Sequence, residues 1–457
     1  MIVDPAVLAY ALPHQRPCHM WAKKSLFANK WASRVITAFG GIPVDRATKN
    51  NQSLFQITFD TLQSGGVIGS FPEGTSYTLP HMLPLKDGTS WAALQYAVQL
   101  EDRQEEEFTT LETLGHERQQ LQIVPTGITY TDKRRWRSGC IVMFGEAIDV
   151  QSYVADFRKD ERQTVKALTH DLTQAFRKLT INAPDWEAHL LGTKACAVAF
   201  SEVTELPPEY FVRVNQDWID FFVNYASQPD VEALRQLVLD YVRGMDSLKL
   251  TDRDMQMLLQ CTGQQRWSAT TVAAPLLENV AKLIVEIPVS LPALAIHLPI
   301  YALAKLAERY ERHEESRAQI KIVTTLVVFP PAYLALFWWV WHHVFLGSFS
   351  GFIASAVLIL TYALYHLAYV DFRYDTFKGT VAIFRVVCVL LGYGQHSGKG
   401  QMEKLIVCRQ RLSQTLLDMV QRYSEQVPGQ ANSGISPSAV NVASPPLKFV
   451  RHALTSC

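Results

Sequence analysis

The sequence predicts an α/β domain, a mixed sheet with flanking helices, followed by a helical region and a C-terminal membrane hairpin. The first part of the chain, to about residue 150, alternates short apolar runs with helical patterns, which is typical of a sheet covered by helices. Residues 322–346 and 351–370 contain no Asp, Glu, Lys or Arg, and each is near the ~20 residues that a helix needs to cross a bilayer. The apolar excess of the chain therefore lies in its last third.

Length, charge and cysteine content limit the classes of protein to which this chain can belong. The chain has 457 residues, which is too long for one ordinary core and indicates two or three structural units. Lys and Arg together number 43, as do Asp and Glu, so we predict no nucleic-acid partner. The cysteines form no Cys-x-x-Cys pair and have no histidine at metal-ligand spacing, so we predict no metal site.

Periodicity predicts the elements of the first domain. The strand candidates are residues 67–71, 121–125, 127–130 and 141–144. A helix is expected after Gly88. Val165, Leu168 and Leu172 are three or four residues apart, which predicts an amphipathic helix over 153–179 that closes the domain.

The chain beyond the first domain is predicted to be mostly helical. Its expected core residues are Trp218, Phe221, Phe222, Leu237 and Tyr241. The apolar segment 283–304 holds several prolines and Glu286 and is followed by a basic stretch. If this segment spanned a membrane, the basic stretch would violate the positive-inside tendency, so we predict an interfacial or re-entrant segment.

The predicted organisation has five parts. They are the α/β domain (1–182), a helical region (183–275), a membrane-associated region (276–394), a helix (395–425) and a disordered tail (426–457). Within the membrane-associated region, 322–346 and 351–370 are predicted to be transmembrane. The tail is assigned as disordered because it is rich in Ser, Pro, Asn and Gly.

The most informative stretch is the loop Phe71-Pro72-Glu73-Gly74-Thr75-Ser76. A short apolar run precedes it, so Glu73 is expected at the carboxyl end of a strand, where α/β folds bind ligands. A carboxylate, a glycine and two hydroxyls at such a place suit a polyhydroxyl or phosphate substrate. Taken alone, the hexamer is also compatible with an ordinary Pro-Glu-Gly turn.

The order of motifs resembles a known family. Residues 41–46, 71–76 with 83–86, and 123–130 resemble motifs two, three and four of the glycerolipid acyltransferases. Residues 144–148 are similar to the closing strand and loop of that family. The resemblance covers roughly residues 1–150, and four elements in the right order are far more specific than any one of them.

Later segments resemble one branch of this family. Leu291-Pro292, Leu298-Pro299-Ile300, the tryptophan-rich stretch and Asp371-Phe372-Arg373 are most similar to the fungal-type glycerol-3-phosphate and dihydroxyacetone-phosphate acyltransferases. The resemblance implies transfer of an acyl chain from acyl-CoA to glycerol-3-phosphate or dihydroxyacetone phosphate, early in phosphatidate synthesis. It implies no metal, no other cofactor and no covalent intermediate.

The resemblance also implies a lipid bilayer as partner and an endoplasmic reticulum location, with the catalytic domain facing the cytosol. Two alternatives remain open from the sequence. One is a lysophospholipid acyltransferase, which would use the same chemistry on a larger acceptor. The other is a noncatalytic scaffold that keeps the fold without the catalytic histidine.

The resemblance assigns roles to individual residues. The expected substrate-binding residues are Arg46, Glu73, Gly74, Thr75, Ser76 and Lys86, and Pro125 is expected to shape the acyl-side wall. Arg46 suits a phosphate because a guanidinium matches two phosphate oxygens and stays charged. An exposed lysine at a helix entry is the other interpretation of Lys86, and packing alone is the other interpretation of Pro125.

The first motif of the family is only partly present. That motif is a histidine, four residues, then an aspartate, and this sequence matches the aspartate alone, at Asp4. Asp4 is thus the expected orienter of a histidine that this sequence lacks, since His14 and His19 follow it. We expect an N-terminal truncation, with a poor catalyst as the consequence, because losing a general base typically costs about 10²–10⁴ in rate.

Overall fold

The computed structural model describes residues 3–44, 52–75, 79–110, 120–130, 139–200, 208–248, 250–252, 254–255, 314–390 and 398–426, with isolated positions between 277 and 310. The chain divides into two compact units. The first comprises Met1–Trp186, Pro208–Arg213 and His313–Gln319. The second comprises Glu187–Pro207, Val214–Arg312 and Ile320–Cys457.

A parallel three-stranded sheet forms the start of the first unit. Its elements in chain order are α1 (Val3–Ala11), β1 (Cys18–Lys23), α2 (Lys30–Ala38), β2 (Gly41–Val44), α3 (Gln52–Gln63) and β3 (Val67–Gly69). The strand order is β2-β1-β3, with both neighbours parallel to β1. The chain therefore moves to one side of β1 and then to the other, which creates a topological switch point between β1 and β3.

Antiparallel strand pairs complete the strands of this unit. They are β4 (Gln122–Ile123) with β7 (Ile148–Asp149) and β5 (Thr126–Tyr130) with β6 (Cys140–Phe144). The prediction of mixed strands with flanking helices is confirmed. Sequence periodicity did not identify β1 and β2 as strands. The apolar run within β1 is only Met20-Trp21-Ala22, and β2 contains Gly41 and Pro43, residues disfavoured in strands.

Helices α4 (Gly88–Thr110), α5 (Val154–Phe157) and α6 (Glu161–Leu179) enclose the core of the first unit. Leu94 of α4 and Leu168 of α6 are fully buried in one cluster. The single helix expected over 153–179 is two helices, because Asp160 has an extended backbone and caps a new one. Its side chain accepts a hydrogen bond from the Gln163 backbone N–H at 3.0 Å.

The second unit and its flanks are helical. The remaining helices are α7 (Trp186–Ala199), α8 (Pro208–Asn224), α9 (Pro229–Ser247), α10 (Glu314–His343), α11 (Phe349–Leu390) and α12 (Gly398–Gln426). The predicted core residues Trp218, Phe221, Phe222 and Tyr241 are buried, whereas Leu237 is half-buried. The predicted region 283–304 lies almost wholly outside the described residues, and residues 427–457 lie entirely outside them.

Helix α12 packs on α9 through a buried arginine. Arg409 is only 5% exposed, and its Nη1 donates a hydrogen bond to the Tyr241 hydroxyl at 2.7 Å. The same guanidinium lies 5.8 Å from the centroid of the Tyr241 ring. The phenol oxygen and the ring face together offset part of the cost of burying this charge.

A tight corner joins α10 to α11. Leu346 and Gly347 have positive φ angles of 49° and 71°, and the Trp341 indole N–H donates to the Ser348 carbonyl at 2.9 Å. The rings of Phe337 and Phe352 meet across the corner with centroids 5.1 Å apart. The chain therefore changes direction between the two helices at this corner.

The predicted transmembrane hairpin over 322–346 and 351–370 is not supported. Among the described residues, no helix has both the length and the apolar character that a membrane span requires. The helices also do not coincide with the apolar runs. Helix α11 continues without a break past Val370 and includes the charged residues Asp371 and Arg373.

Gly127 of β5 is required by packing against α6. A Cβ at this position would lie 2.3 Å from the backbone oxygen of Leu179. We predict that Gly127→Ala lowers the free energy of unfolding by about 1–3 kcal/mol, because backbone atoms must move to relieve the overlap. Gly88→Ala is the matched control, since open space surrounds its Cβ. Urea unfolding of both variants checks this, and equal midpoints would contradict it.

Candidate functional site

The predicted substrate loop lies at the switch point of the parallel sheet. Residues Phe71–Thr75 follow the carboxyl end of β3, and Lys23 and Lys24 stand at the carboxyl end of β1. Because β1 and β3 are parallel neighbours, these two chain segments leave the sheet at the same edge. In open α/β sheets the crevice outside this edge is where ligands bind.

Residues Phe71–Gly74 form a tight turn. The Gly74 N–H donates to the Phe71 carbonyl at 3.0 Å, with Pro72 at the second position of the turn. Gly74 has a φ of 71°, in the left-handed region that favours glycine. A side chain at this position would also collide with Lys86, whose Nζ lies 2.6 Å from the place of a Cβ. Gly74 is therefore fixed by backbone conformation and by space.

Lys86 is held against this turn by its backbone as well. Its N–H donates to the Pro72 carbonyl at 2.9 Å, so the ammonium group and the turn are parts of one local structure. Thr75 is exposed, and Glu73 is partly buried on the same turn. The structure thus brings together Glu73, Gly74, Thr75 and Lys86, four of the residues that the sequence predicts for substrate binding.

The segment between β3 and α4 is braced by its neighbours. The hydroxyls of Ser70 and Thr89 are 2.9 Å apart, which ties the end of β3 to the first turn of α4. The Met82 N–H donates to the Asn182 side-chain oxygen at 2.9 Å. These bonds position the loop on rigid elements, which a binding site requires.

Lys23 and Lys24 are candidate phosphate-binding residues that the sequence reasoning missed. Both are exposed, and they lie at the end of a strand that periodicity did not identify. The signal was present as Met20-Trp21-Ala22, a short apolar run that ends in two lysines. With Lys86, they give this edge of the sheet a positive character that suits an anionic substrate.

Asp4 is buried and bonded to the end of β5. The Tyr130 hydroxyl donates to Asp4 Oδ1 at 2.6 Å, and Asp4 is 8% exposed. Burial, reinforced by the hydrogen bond and the charge of Asp4, raises the pKa of Tyr130. Desolvation and then the charge of Asp4 also raise the pKa of Cys140, which lies opposite Tyr130 on β6. Tyr130 therefore links the first and fourth motif segments.

Pro125 lies in the core where the chain passes from β4 to β5. It is buried, and its carbonyl accepts a hydrogen bond from the Gly145 N–H at 2.8 Å. This bond joins the fourth motif segment to the loop that follows β6. Arg46 and Ser76 lie outside the described residues. The described contacts document two groupings, Asp4 with Tyr130 and Gly74 with Lys86.

Comparison with protein families agrees with these features. Residues 1–129 match the family described as Acyltransferase, so the class that the fold and the site define is that of the acyltransferases. Residues 198–427, about half of the chain, match the family described as Glycerol-3-phosphate acyltransferase 2 C-terminal domain. The chain belongs to this glycerol-3-phosphate acyltransferase family. The resemblance inferred from the motifs is confirmed.

Individual relatives point the same way. The chain is 27% identical to glycerol-3-phosphate O-acyltransferase 2 of Saccharomyces cerevisiae, over 60% of this chain and 35% of the relative. It is 23% identical to glycerol-3-phosphate O-acyltransferase 1 of the same yeast, over 83% of this chain and 49% of the relative. The chain thus spans half or less of the length of these relatives.

A shorter match is to a bacterial protein. The 1-acyl-sn-glycerol-3-phosphate acyltransferase of Bacillus subtilis is 36% identical over 77 residues, which is 17% of this chain and 36% of the relative. No solved structure matches the chain significantly.

The bond between Tyr130 and Asp4 gives a stability prediction. Tyr130→Phe should destabilise the first unit by about 1–3 kcal/mol, because the buried carboxylate loses its donor. Tyr153→Phe is the matched control, since Tyr153 donates to Asp171 at the same 2.6 Å on the surface, and we expect about 0.5 kcal/mol or less.

The stabilities of the Tyr130→Phe and Tyr153→Phe variants are best compared at pH 7. Folding raises the pKa of both phenols, that of Tyr153 to about 12. Their contributions are therefore complete below about pH 10 and are lost only as the pH rises through the folded pKa. Chemical denaturation measures both effects, and equal losses in the two variants would contradict the prediction.

Proposed function

We propose that this chain transfers an acyl group from acyl-CoA to a hydroxyl of glycerol-3-phosphate or dihydroxyacetone phosphate, early in phospholipid synthesis. The observation that carries the proposal is the turn Phe71–Gly74 with the Lys86 ammonium lying across it, at the carboxyl edge of the sheet. The two yeast relatives are glycerol-3-phosphate O-acyltransferases, which supports glycerol-3-phosphate as the acceptor.

The chemistry assigns a task to each grouping. Attack of an alcohol on a thioester needs a grip on the acceptor, a base for the hydroxyl proton and release of the thiol. Glu73 is proposed to accept hydrogen bonds from the glycerol hydroxyls. Lys86, with Arg46, is proposed to bind the phosphate, because guanidinium and ammonium groups both pair with phosphate oxygens.

Asp4 is proposed to orient the base. In the family motif the base is a histidine that stands one turn ahead of the aspartate, and no histidine precedes Asp4 in this sequence. A carboxylate has two oxygens. Tyr130 occupies Oδ1 and leaves the second oxygen of Asp4 to accept an imidazole N–H. The buried Tyr130 bond would fix the direction in which that imidazole is held.

A second candidate function is acylation of a lysophospholipid. The match to the Bacillus subtilis 1-acyl-sn-glycerol-3-phosphate acyltransferase supports it. Both reactions present a glycerol hydroxyl beside a phosphate, so the Glu73 and Lys86 grouping suits either acceptor. A noncatalytic scaffold is the third alternative.

Acyl transfer can be tested by supplying the motif histidine. A two-residue extension, His-Ala, directly before Met1 places a histidine at the family spacing from Asp4. We predict that this form transfers labelled acyl groups to glycerol-3-phosphate about 10²–10⁴ times faster than the Ala-Ala extension. Dihydroxyacetone phosphate and a lysophosphatidate are assayed in parallel. Transfer only to the lysophosphatidate would establish the second candidate, and no transfer to any acceptor would favour the scaffold.

The role of Glu73 provides a control within the same assay. Glu73→Ala in the His-Ala form removes the hydrogen-bond acceptor and should abolish most transfer, whereas Glu403→Ala on exposed α12 surface should leave the rate unchanged. Undiminished transfer by Glu73→Ala would show that Glu73 does not hold the acceptor.

We also propose that the chain acts at a membrane, that of the endoplasmic reticulum, with the first unit on the cytosolic side. Support comes from apolar residues exposed at helical spacing. They are Val327, Leu334 and Trp338 on α10 and Ile353, Val357, Leu360 and Leu364 on α11. Each set falls on one face of its helix, and such stripes are rarely left in water.

Vesicle flotation tests this proposal. The double variant Leu334→Asp/Leu360→Asp should lose most flotation with phospholipid vesicles, because a charge on each stripe opposes burial in lipid. Leu417→Asp on α12 is the control at another exposed leucine and should float like the parent. Flotation that is equal in all three forms would contradict lipid contact through these stripes.

A further inference from the structure

Helix α2 presents an apolar stripe to the outside. Trp31, Val35 and Phe39 are four residues apart, so they share one side of the helix and its C-terminal end. Their side chains are 74%, 55% and 81% exposed, and no residue of α2 is buried. On α6, by contrast, the residues at the same spacing form the core. The stripe on α2 is therefore an apolar surface that the first unit leaves uncovered.

The helix is held in place by other residues. Ile36 packs against β2, since its Cγ2 lies 2.3 Å from where a Cβ on Gly41 would stand. The Asn29 side chain caps the helix by accepting from the backbone N–H groups of Trp31 and Ala32 at 2.9 and 3.3 Å. The stripe is thus preformed and does not need a partner to order it.

The chain segment that carries the stripe has charges of one sign. No acidic residue lies between Asp4 and Asp45, although Asp and Glu equal Lys and Arg in the whole chain. The basic residues of this segment are Arg16, Lys23, Lys24, Lys30 and Arg34. Lys30 and Arg34 are exposed on α2 itself, and the Arg34 guanidinium lies 5.3 Å from the Trp31 ring centroid. This segment is therefore positively charged in a chain that is neutral overall.

We propose that α2 is a docking surface for an anionic lipid bilayer. Trp31, Val35 and Phe39 would enter the boundary between headgroups and acyl chains, while Lys30 and Arg34 pair with anionic headgroups. A helix with aromatic and aliphatic residues on one face and cations beside it is the pattern of interfacial helices. A segment that holds basic residues and no acidic ones complements the uniformly negative surface of an anionic bilayer. It complements a protein surface that carries charges of both signs less well.

Helix α2 follows closely on the carboxyl end of β1, at the edge of the sheet that carries the substrate loop. The short helical turn Lys24–Phe27 connects the carboxyl end of β1 to α2. Leu26 on this turn and Phe71 on the substrate loop are both exposed. Docking through α2 would bring the bilayer alongside the edge of the sheet that carries the loop. It uses neither Glu73 nor Lys86, so it holds whether or not the chain transfers acyl groups.

Amide hydrogen exchange of the full chain tests the proposal locally. Vesicles of phosphatidylcholine alone and with phosphatidylserine are compared with buffer. We expect exchange in peptides over 24–39 to slow about fivefold or more on anionic vesicles, and the effect to shrink at high salt. Peptides from α6 serve as the internal reference, because the packing of that helix is complete. The readout is local, so it is independent of how other segments contact the vesicles.

Two variants separate charge from apolar contact. Lys30→Glu/Arg34→Glu should remove the difference between the two vesicle types, and Trp31→Ala/Phe39→Ala should remove the protection on both. Lys404→Glu/Arg411→Glu is the charge-matched control on exposed α12 surface. Unchanged exchange in α4 and α6 of each variant shows that it is folded.

The alternatives give different results. If peptides over 24–39 exchange as fast on anionic vesicles as in buffer while the chain is bound to the vesicles, the proposal is wrong. Protection that arises without vesicles and grows with protein concentration identifies a second copy as the occupant and overturns it as well.

Discussion

The parallel pairing of β1 with both β2 and β3 is the constraint on which the candidate site depends. It directs the carboxyl ends of β1 and β3 to one edge of the sheet, so Lys23 and the Phe71–Gly74 turn lie at the same edge although they are far apart in sequence. The turn is then fixed by its own backbone bond and by Lys86, whose N–H bonds to Pro72 and whose ammonium lies across Gly74. A carboxylate and an ammonium are thereby presented on one local structure. Such preorganisation lets binding energy be used on the substrate instead of on ordering the loop.

A second constraint is the buried bond between Tyr130 and Asp4. A buried carboxylate costs free energy unless it is hydrogen-bonded. The Tyr130 hydroxyl donates that bond to Asp4 Oδ1 at 2.6 Å. The same bond joins α1 to the β5–β6 pair, since Tyr130 ends β5 opposite Cys140. The first and fourth motif segments are thus mechanically coupled. Tyr130, the last residue of the fourth motif segment, holds Asp4 of the first motif segment through this hydrogen bond.

The two amphipathic helices α2 and α6 show how one sequence pattern serves two purposes. Both carry apolar residues at helical spacing, but Val165, Leu168 and Leu172 of α6 are buried against α4, while α2 keeps its stripe outside. The difference follows from what each helix meets. α6 is enclosed by α4 and α5, whereas α2 contacts β2 on one side through Ile36. Periodicity alone indicates that a helix has an apolar face, and only packing shows whether protein covers that face.

The sequence by itself determined the family, the mixed strands, the strand before the substrate loop and most of the helical core around Trp218, because these depend on local periodicity and on motif order. It predicted Glu73, Gly74 and Lys86 as substrate-binding residues, and the turn at Gly74 holds Lys86 close to it. Asp160 divides the helix expected over 153–179 through a local N-cap bond to Gln163, which apolar periodicity does not register. Two things were decided by the tertiary structure alone. The apolar run of β1 is only three residues between His19 and Lys23, and β2 contains Gly and Pro, so neither strand is recognised without its neighbours. Asp4 accepts a hydrogen bond from Tyr130, which is 126 positions away in the sequence. No local pattern predicts this pairing, because it depends on the fold bringing β5 next to α1.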